Sequence, residues 1–433
     1  MDASTRRAGS PRTRRPSAHS PTAFEGLRIA LVHDWLTGMR GGEKCLEVLC
    51  RAFPDATLHT LIHREGRLSP AIEAMSIRTS PLQRLPGIFR HYRKLLPIMP
   101  LAAGRLNVGD VDLVVSLSHC VAKSVSVPAG VPHVCYCFTP MRYVWDGREA
   151  YLASYEGKPL RKALAGFLLD RLRRWDRGSA ARVTHFVSIS ETIRDRIARC
   201  YDRESRVIQP PVDTDFYRPS AEPVQRSQGY LCVSALVPYK RIDQAIEACI
   251  KTGRALTIIG EGPERARLER IAGPNVRFLG WQPDEVIREQ YQTCRALIFP
   301  GEEDFGIVPM EALACGCPVI ALGRGGVAET VNDRVGRVYP EPTTGSLQAA
   351  LDTWEADGMP HDAGEARRRA DGFSLSQFRN RLLDLLAEVA SQRRQPSAVP
   401  TPHHIASRPH AAAEVSRRSG RRAGRGDTGS TGG

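Results

Sequence analysis

Between residues 27 and 321 the chain carries nine short apolar runs, four to seven residues long, separated by longer stretches of mixed character. Leu27–His33 (LRIALVH), Val111–Leu117 (VDLVVSL), His133–Tyr136 and Thr184–Ser188 make a first series. A connecting stretch follows Pro210-Pro211, and Tyr230–Ser234, Ala255–Ile259, Val276–Leu279, Ala296–Phe299 and Pro318–Ala321 make a second. Runs this short and this apolar predict strands covered on both faces. The stretches between them read as helices, the first being GGEKCLEVLCRAF, opened by Gly41-Gly42. Strands alternating with helices imply parallel sheets, so two α/β units are expected, with a boundary near residues 215–228. In such sheets ligands bind outside the carboxyl ends of the strands, here the cleft between the units.

Composition agrees with two domains. The chain has 433 residues and is 42% hydrophobic, long for one core and apolar enough for two. No apolar stretch approaches the roughly 18 residues that would span a bilayer, and the Arg- and Pro-rich start lacks the apolar segment of a secretory signal. The eleven cysteines include no C-x-x-C pair; reduced, mostly buried thiols in a cytoplasm are expected. The net charge of +14 is less telling than it looks, because nine of those charges lie in residues 1–25 and 391–433. Both segments are rich in Arg, Ser, Pro, Gly and Ala and lack any core-forming period, so they read as disordered basic tails. Without interleaved aromatics they give no reason to expect a nucleic-acid partner.

One stretch concentrates chemistry: PGEEDFGIVPMEALACGCPVIALGRGGVAETV, residues 300–331. Glu303 and Glu311 stand eight apart, with Phe305-Gly306 and Pro309 between them. Proline suits a first helical turn, where its missing N–H costs nothing, and Glu311 is then expected in that turn, favoured by the helix dipole. Gly306 admits close backbone approach, and free N–H groups at a helix start suit an anion. Gly41-Gly42 after the first strand offers a second such start.

This segment resembles the nucleotide-sugar loop of the retaining family-four glycosyltransferases, which have the two-domain GT-B fold. The resemblance runs from about Leu27 to about Leu386. It implies two Rossmann-like doubly wound domains, residues 26–220 on the acceptor side and 221–374 binding the nucleotide sugar. A last helix, residues 375–390, is then expected to return to the first domain. Glu311 would hold the nucleotide ribose and Glu303 the donor hexose. His119, in SLSHCVAKSV after the second strand run, matches the histidine that contacts the hexose near its anomeric carbon. Lys240, in SALVPYKRID, matches the lysine that neutralises the departing diphosphate, a role that suits a compact ammonium. The family usually places an arginine five positions earlier, where this chain has Ala235; Arg241, Lys123 and Arg142 are the candidates for a second cation. The Val-Pro-Tyr-Lys-Arg sequence is also similar to one carried by polysaccharide mannosyltransferases of the family.

The resemblance therefore implies His119, Glu303 and Lys240 as catalytic residues. It implies Gly41, Gly42, Lys240, Arg241, Phe305, Gly306, Ile307 and Glu311 as donor contacts. The aromatic and polar run YCFTPMRYVWD, residues 136–146, supplies Arg142, Tyr143, Trp145 and Asp146 as candidate acceptor contacts. The expected reaction is transfer of a hexose, mannose from GDP-mannose, to a polyprenyl-diphosphate-linked oligosaccharide. No cofactor or metal is expected: no Asp-x-Asp motif of the metal-dependent transferases stands at a strand end, and Asp110-Val111-Asp112 reads as the polar start of a buried strand. Residues 84–106 and 161–175 mix Arg and Lys with large apolar residues and predict peripheral contact with anionic membrane. A sugar-nucleotide epimerase of the same fold and a catalytically silent sugar-nucleotide- or glycan-binding protein remain alternatives.

Overall fold

The computed structural model describes residues 23–394, apart from residues 154, 223–225, 227 and 228. Most of both basic tails lies outside the described residues. Two parallel sheets organise the rest. The first contains β1 (Ile29–His33), β2 (Thr57–Thr60), β3 (Ser76–Thr79), β4 (Leu113–Ser118), β5 (His133–Cys137), β6 (His185–Ser188) and β7 (Ser205–Val207), in the order β3-β2-β1-β4-β5-β6-β7. The second contains β8 (Tyr230–Val233), β9 (Leu256–Ile259), β10 (Val276–Gly280), β11 (Leu297–Phe299), β12 (Val319–Leu322) and β13 (Gly336–Tyr339), in the order β10-β9-β8-β11-β12-β13. Each order reverses direction once, beside its first strand, and a crevice opens where the connections diverge.

The central strands form where the apolar runs fall. Every residue of β1, β4 and β5 is buried. The same pattern did not anticipate β2, β3, β7 or β13. β3 exposes three of its four residues and β7 has only three residues, so neither carries an apolar run. Edge strands like these owe their conformation to the neighbour they pair with, not to their own side chains.

The helix Gly41–Ala52 follows β1 and places Cys45, Leu46, Val48 and Leu49 against the sheet. Its first residue is glycine for a steric reason. A Cβ on Gly41 would stand 2.6 Å from Ile307 Cδ1, so the glycine lets a helix of the second sheet's layer approach. The last helix, Leu375–Arg394, packs back on the first sheet. Phe378 meets Tyr136 of β5 edge-on with ring centroids 5.6 Å apart, and Glu388 pairs with Arg206 of β7 at 3.0 Å. One apolar cluster runs from Leu31 and Tyr136 through Phe378, Leu382 and Leu386 to Leu297, Phe305 and Met310. The two sheets therefore share part of a single core.

Candidate active site

The carboxyl ends of β1, β4, β5, β6, β8 and β11 converge on a cavity of 440 Å³ between the sheets. His33, His119 and Phe138 line it from the first sheet, and Tyr239, Lys240 and Glu303 from the second. A larger hollow of 980 Å³ lies at the opposite, amino end of the first sheet, between Arg28, Asp55 and Arg379. Its position is not where parallel sheets bind ligands, and Asp110 and Asp112 there are ion-paired with Arg28.

On the first-sheet side the organising group is Asp34, the fully buried residue after β1. Its carboxylate accepts backbone N–H bonds from His119 (2.7 Å), Cys120 (3.0 Å), Val121 (2.6 Å) and Ala122 (2.6 Å). His119 Nδ1 lies 3.0 Å from the same carboxylate. Burial acts to raise the Asp34 pKa, but His119 and these donors outweigh it and hold the carboxylate well below its usual range. An N–H on Nδ1 facing Asp34 leaves His119 Nε2 as a hydrogen-bond acceptor. The ring is braced edge-on by Trp35, centroids 4.5 Å apart. His33, neighbouring Asp34 in sequence, is fully buried with Nδ1 donating to the Trp35 carbonyl at 3.1 Å, and burial lowers its pKa, keeping it neutral.

On the second-sheet side Lys240 and Glu303 are in direct contact. Burial and the positive Arg142 push the lysine down to about 8, against the pull of the Asp304 carboxylate. Glu303 is held by its backbone, whose carbonyl accepts from Gly326 N–H at 2.8 Å. Gly306 then turns the chain at φ +93°, a conformation only glycine adopts cheaply, and the helix Ile307–Ala314 begins immediately. That early start corrects the expected place of Glu311. It is the fifth residue of the helix, in the second turn.

Glu311 does not line the cavity, although Ile307 and Val308 of its helix do. It is 7% exposed, accepts from Lys44 Nζ at 3.3 Å and lies 3.5 Å from Tyr291 Oη. Burial raises its pKa to about 7 against the pull of Lys44. Lys44 belongs to the helix opened by Gly41-Gly42, so this pair joins the two halves of the molecule.

The structure thus gathers His119, Gly41, Gly42, Lys240, Glu303, Phe305, Gly306 and Ile307 around one space. Arg241 is not among them. It takes a left-handed conformation at φ 53° and pairs with Asp243 at 3.4 Å. Lys123, a candidate second cation, is a core residue in contact with Asp176, and Trp145 Nε1 donates to that aspartate at 2.8 Å. Asp146 is taken by Arg196 at 2.6 Å and Arg199 at 2.7 Å. Tyr143 is exposed beside Tyr151, and Arg142 pairs with Asp304 at 2.6 Å. Asp34, Lys44 and Asp304 went unremarked in the sequence. Only Asp34 left a local signal, a carboxylate directly after a buried strand.

Two family models match the chain: one for Glycosyltransferase Family 4 over residues 39–216, the other for Glycosyl transferases group 1 over residues 213–370. The chain belongs to the family-four glycosyltransferases. This glycosyltransferase is 29% identical over 279 residues to a GDP-mannose-dependent α-(1-6)-phosphatidylinositol monomannoside mannosyltransferase of Mycolicibacterium smegmatis, covering 58% of this chain and 72% of that one. It is 34% identical over 140 residues to a GDP-mannose-dependent α-mannosyltransferase of Mycobacterium tuberculosis, covering 32% and 35%. Among solved structures, Anabaena HepE in complex with UDP matches with a TM-score of 0.61 at 16% identity, covering 84% of this chain and all of that one. WaaG, a glycosyltransferase involved in lipopolysaccharide biosynthesis, matches with a TM-score of 0.58 at 17% identity, covering 82% and 99%. Both likenesses are of fold, and with the two parallel sheets they make the glycosyltransferase a GT-B protein. Its halves are held across the cleft by Arg142 and Arg196 on Asp304. In addition Glu329 accepts the backbone N–H groups of Glu191 and Thr192, both at 3.0 Å.

Proposed function

We propose that this glycosyltransferase moves mannose from GDP-mannose, with retention, to a polyprenyl-diphosphate-linked oligosaccharide. The observation that carries this reading is the single cavity in which His119 and Gly41-Gly42 face Lys240, Glu303 and Phe305-Gly306-Ile307. The choice of donor is supported by relatives whose activity is GDP-mannose-dependent. In this reading Glu303 and His119 Nε2 accept hydrogen bonds from hydroxyls of the hexose and fix its orientation. The N–H groups at the start of the helix Ile307–Ala314 face the diphosphate. Lys240 meets the charge that grows as the bond from the anomeric carbon to the diphosphate oxygen breaks. The acceptor hydroxyl attacks from the face the diphosphate leaves, and its proton passes to that diphosphate. Thermal shift with GDP-mannose, UDP-glucose and UDP-galactose, with and without chelator, followed by transfer of labelled sugar, tests the assignment. Stabilisation by UDP-sugars alone would replace the donor, and isomerised sugar without acceptor would replace the reaction.

In this reading Glu311, whose helix lines the cavity at Ile307 and Val308, takes the two ribose hydroxyls once Lys44 yields. Glu311→Ala is expected to weaken GDP binding by about 1.5–3 kcal/mol, the worth of hydrogen bonds to a buried charge. Calorimetry decides it, and unchanged affinity removes the ribose role. Because the carboxylate titrates near 7 and must be ionised to accept both hydroxyls, affinity falls as pH drops from 8 to 6. Glu311→Gln is expected to flatten that part of the profile.

The acceptor's lipid requires a membrane surface. Leu85, Phe89, Ile98 and Leu101 are exposed on one basic segment, and Leu164 and Phe167 on the other, with Leu160 just before it. Both segments pack over the same face of the first sheet, where Ile88, Met99, Leu169 and Leu172 share a core cluster. No helix among the described residues is long and apolar enough to cross a membrane. Leu164→Glu with Phe167→Glu is expected to cut sedimentation with anionic vesicles at least severalfold, since each change replaces apolar contact with repulsion. Undiminished sedimentation would remove this face from the proposal.

A further inference from the structure

We propose that Arg142, a first-domain residue, is a catalytic cation for the leaving diphosphate, held on Asp304 until the nucleotide sugar enters. This rests on the reading above and adds a residue to it.

The case begins with the charges on Asp304, which lines the cavity next to Glu303. Its Oδ2 accepts from Arg142 Nη2 at 2.6 Å and its Oδ1 from Arg196 Nη1 at 2.7 Å. Arg196 also reaches Asp146 at 2.6 Å, and Asp146 has Arg199 at 2.7 Å. Three arginines therefore share two carboxylates. If Arg142 leaves, Arg196 still neutralises Asp304 and Arg199 still neutralises Asp146. The backbone of Asp304 also stays in place, because its carbonyl accepts from Ser190 Oγ at 2.6 Å. The departure of Arg142 therefore uncovers no charge. It is also the freer of the two on Asp304, with a side chain 39% exposed against 12% for Arg196.

Its position gives that freedom a direction. The Arg142 guanidinium lies 5.7 Å from the centroid of the Tyr239 ring, and Lys240 Nζ lies 5.5 Å from the same centroid. Tyr239 lines the cavity, so two cations flank one ring at its edge. The charge of Lys240 is already matched by Glu303. A diphosphate carries at least two negative charges and gains another as the sugar bond breaks, so one half-neutralised ammonium leaves most of that charge unmet. A guanidinium stays protonated throughout and binds two phosphate oxygens in parallel. In the step itself the bond from the anomeric carbon to the diphosphate oxygen breaks, its electron pair remains on that oxygen, and Arg142 pairs with the charge formed. Arg40, which also lines the cavity, is the rival cation.

The test compares wild type, Arg142→Ala, Arg142→Lys and Asp304→Asn by calorimetry with GDP and UDP and by steady-state kinetics. Arg142→Ala is expected to weaken GDP at least tenfold and to lower kcat by about 10²–10³-fold, the scale of removing one transition-state donor. Millimolar guanidinium should restore part of that rate. Asp304→Asn, which frees Arg142, is expected to tighten GDP. Equal GDP affinity in wild type and Arg142→Ala, with a raised acceptor KM, would make Arg142 an acceptor contact and overturn the proposal. Equal losses in Arg142→Ala and Asp304→Asn would reduce the pair to a tie between domains. A loss in Arg40→Ala with none in Arg142→Ala would move the role to the rival. Wild type that binds neither GDP nor UDP would overturn the underlying function as well, which separates the two failures.

Discussion

Lys240→Ala is expected to lower kcat by about 10²–10³-fold while donor affinity changes by much less. The ammonium is largely buried against Glu303, its side chain 17% exposed, so little water screens it. Ground-state nucleotide sugar has its charge spread over the diphosphate, and only bond breaking concentrates charge on the leaving oxygen. A cation aimed there acts mostly in the transition state. The single replacement also leaves the Glu303 carboxylate uncompensated beside an anion, so part of the loss is repulsion. Lys240→Ala combined with Glu303→Gln separates the two: repulsion is removed in the double variant, and what remains is the lysine's own contribution. Single-turnover rates and GDP-mannose affinity decide it. If KM rises with kcat unchanged, Lys240 binds ground and transition states alike and the leaving-group role is lost.

The second large effect concerns stability. Asp176 is fully buried and accepts from three groups: the Lys123 ammonium, itself 2% exposed, Trp145 Nε1 at 2.8 Å and Tyr201 Oη at 2.8 Å. Asp176→Ala strands a buried ammonium and two polar hydrogens, and such a break costs about 3–5 kcal/mol. In a domain of roughly 200 residues that lowers Tm by on the order of 10 °C. The helix Pro159–Ala180 carries Asp176, and its loss unpins the 136–146 loop through Trp145. Pairing the change with Lys123→Met removes the stranded charge and should recover much of the loss. A Tm within 2–3 °C of wild type for Asp176→Ala would mean that water already relieves the site. Scanning calorimetry and the Trp145 emission spectrum together report both consequences.

The sequence made these particular features legible to different degrees. β1, β4 and the turn at Gly306 could be read because their causes are local: apolar runs buried on both faces, and a backbone angle that selects glycine. β3 and β7 could not, because an exposed edge strand has no side-chain pattern of its own. Among site residues the divide is the same. Glu303, Lys240 and His119 stand in motifs whose spacing is fixed by one turn each. Asp34 holding the 119–122 backbone, Lys44 on Glu311 and Arg142 on Asp304 join positions 85 or more apart, and no window of sequence contains both partners. Arg142 shows the cost. The sequence offers it both as one of three candidate second cations and as an acceptor contact, and the cation role proposed for it rests on Asp304 and Tyr239 across the cleft.

The return of the last helix to the first sheet has a consequence for synthesis. Phe378, Leu382 and Leu386 belong to the same apolar cluster as Leu31 and Tyr136, so the first sheet lacks part of its packing until residues 375–394 have been made. The ribosome finishes β7 187 residues before that helix ends, and at about 5–20 residues per second the delay is roughly ten to forty seconds. During that interval part of one apolar face of the first domain stays uncovered, which predicts nascent chains that recruit chaperones until the helix Leu375–Arg394 emerges.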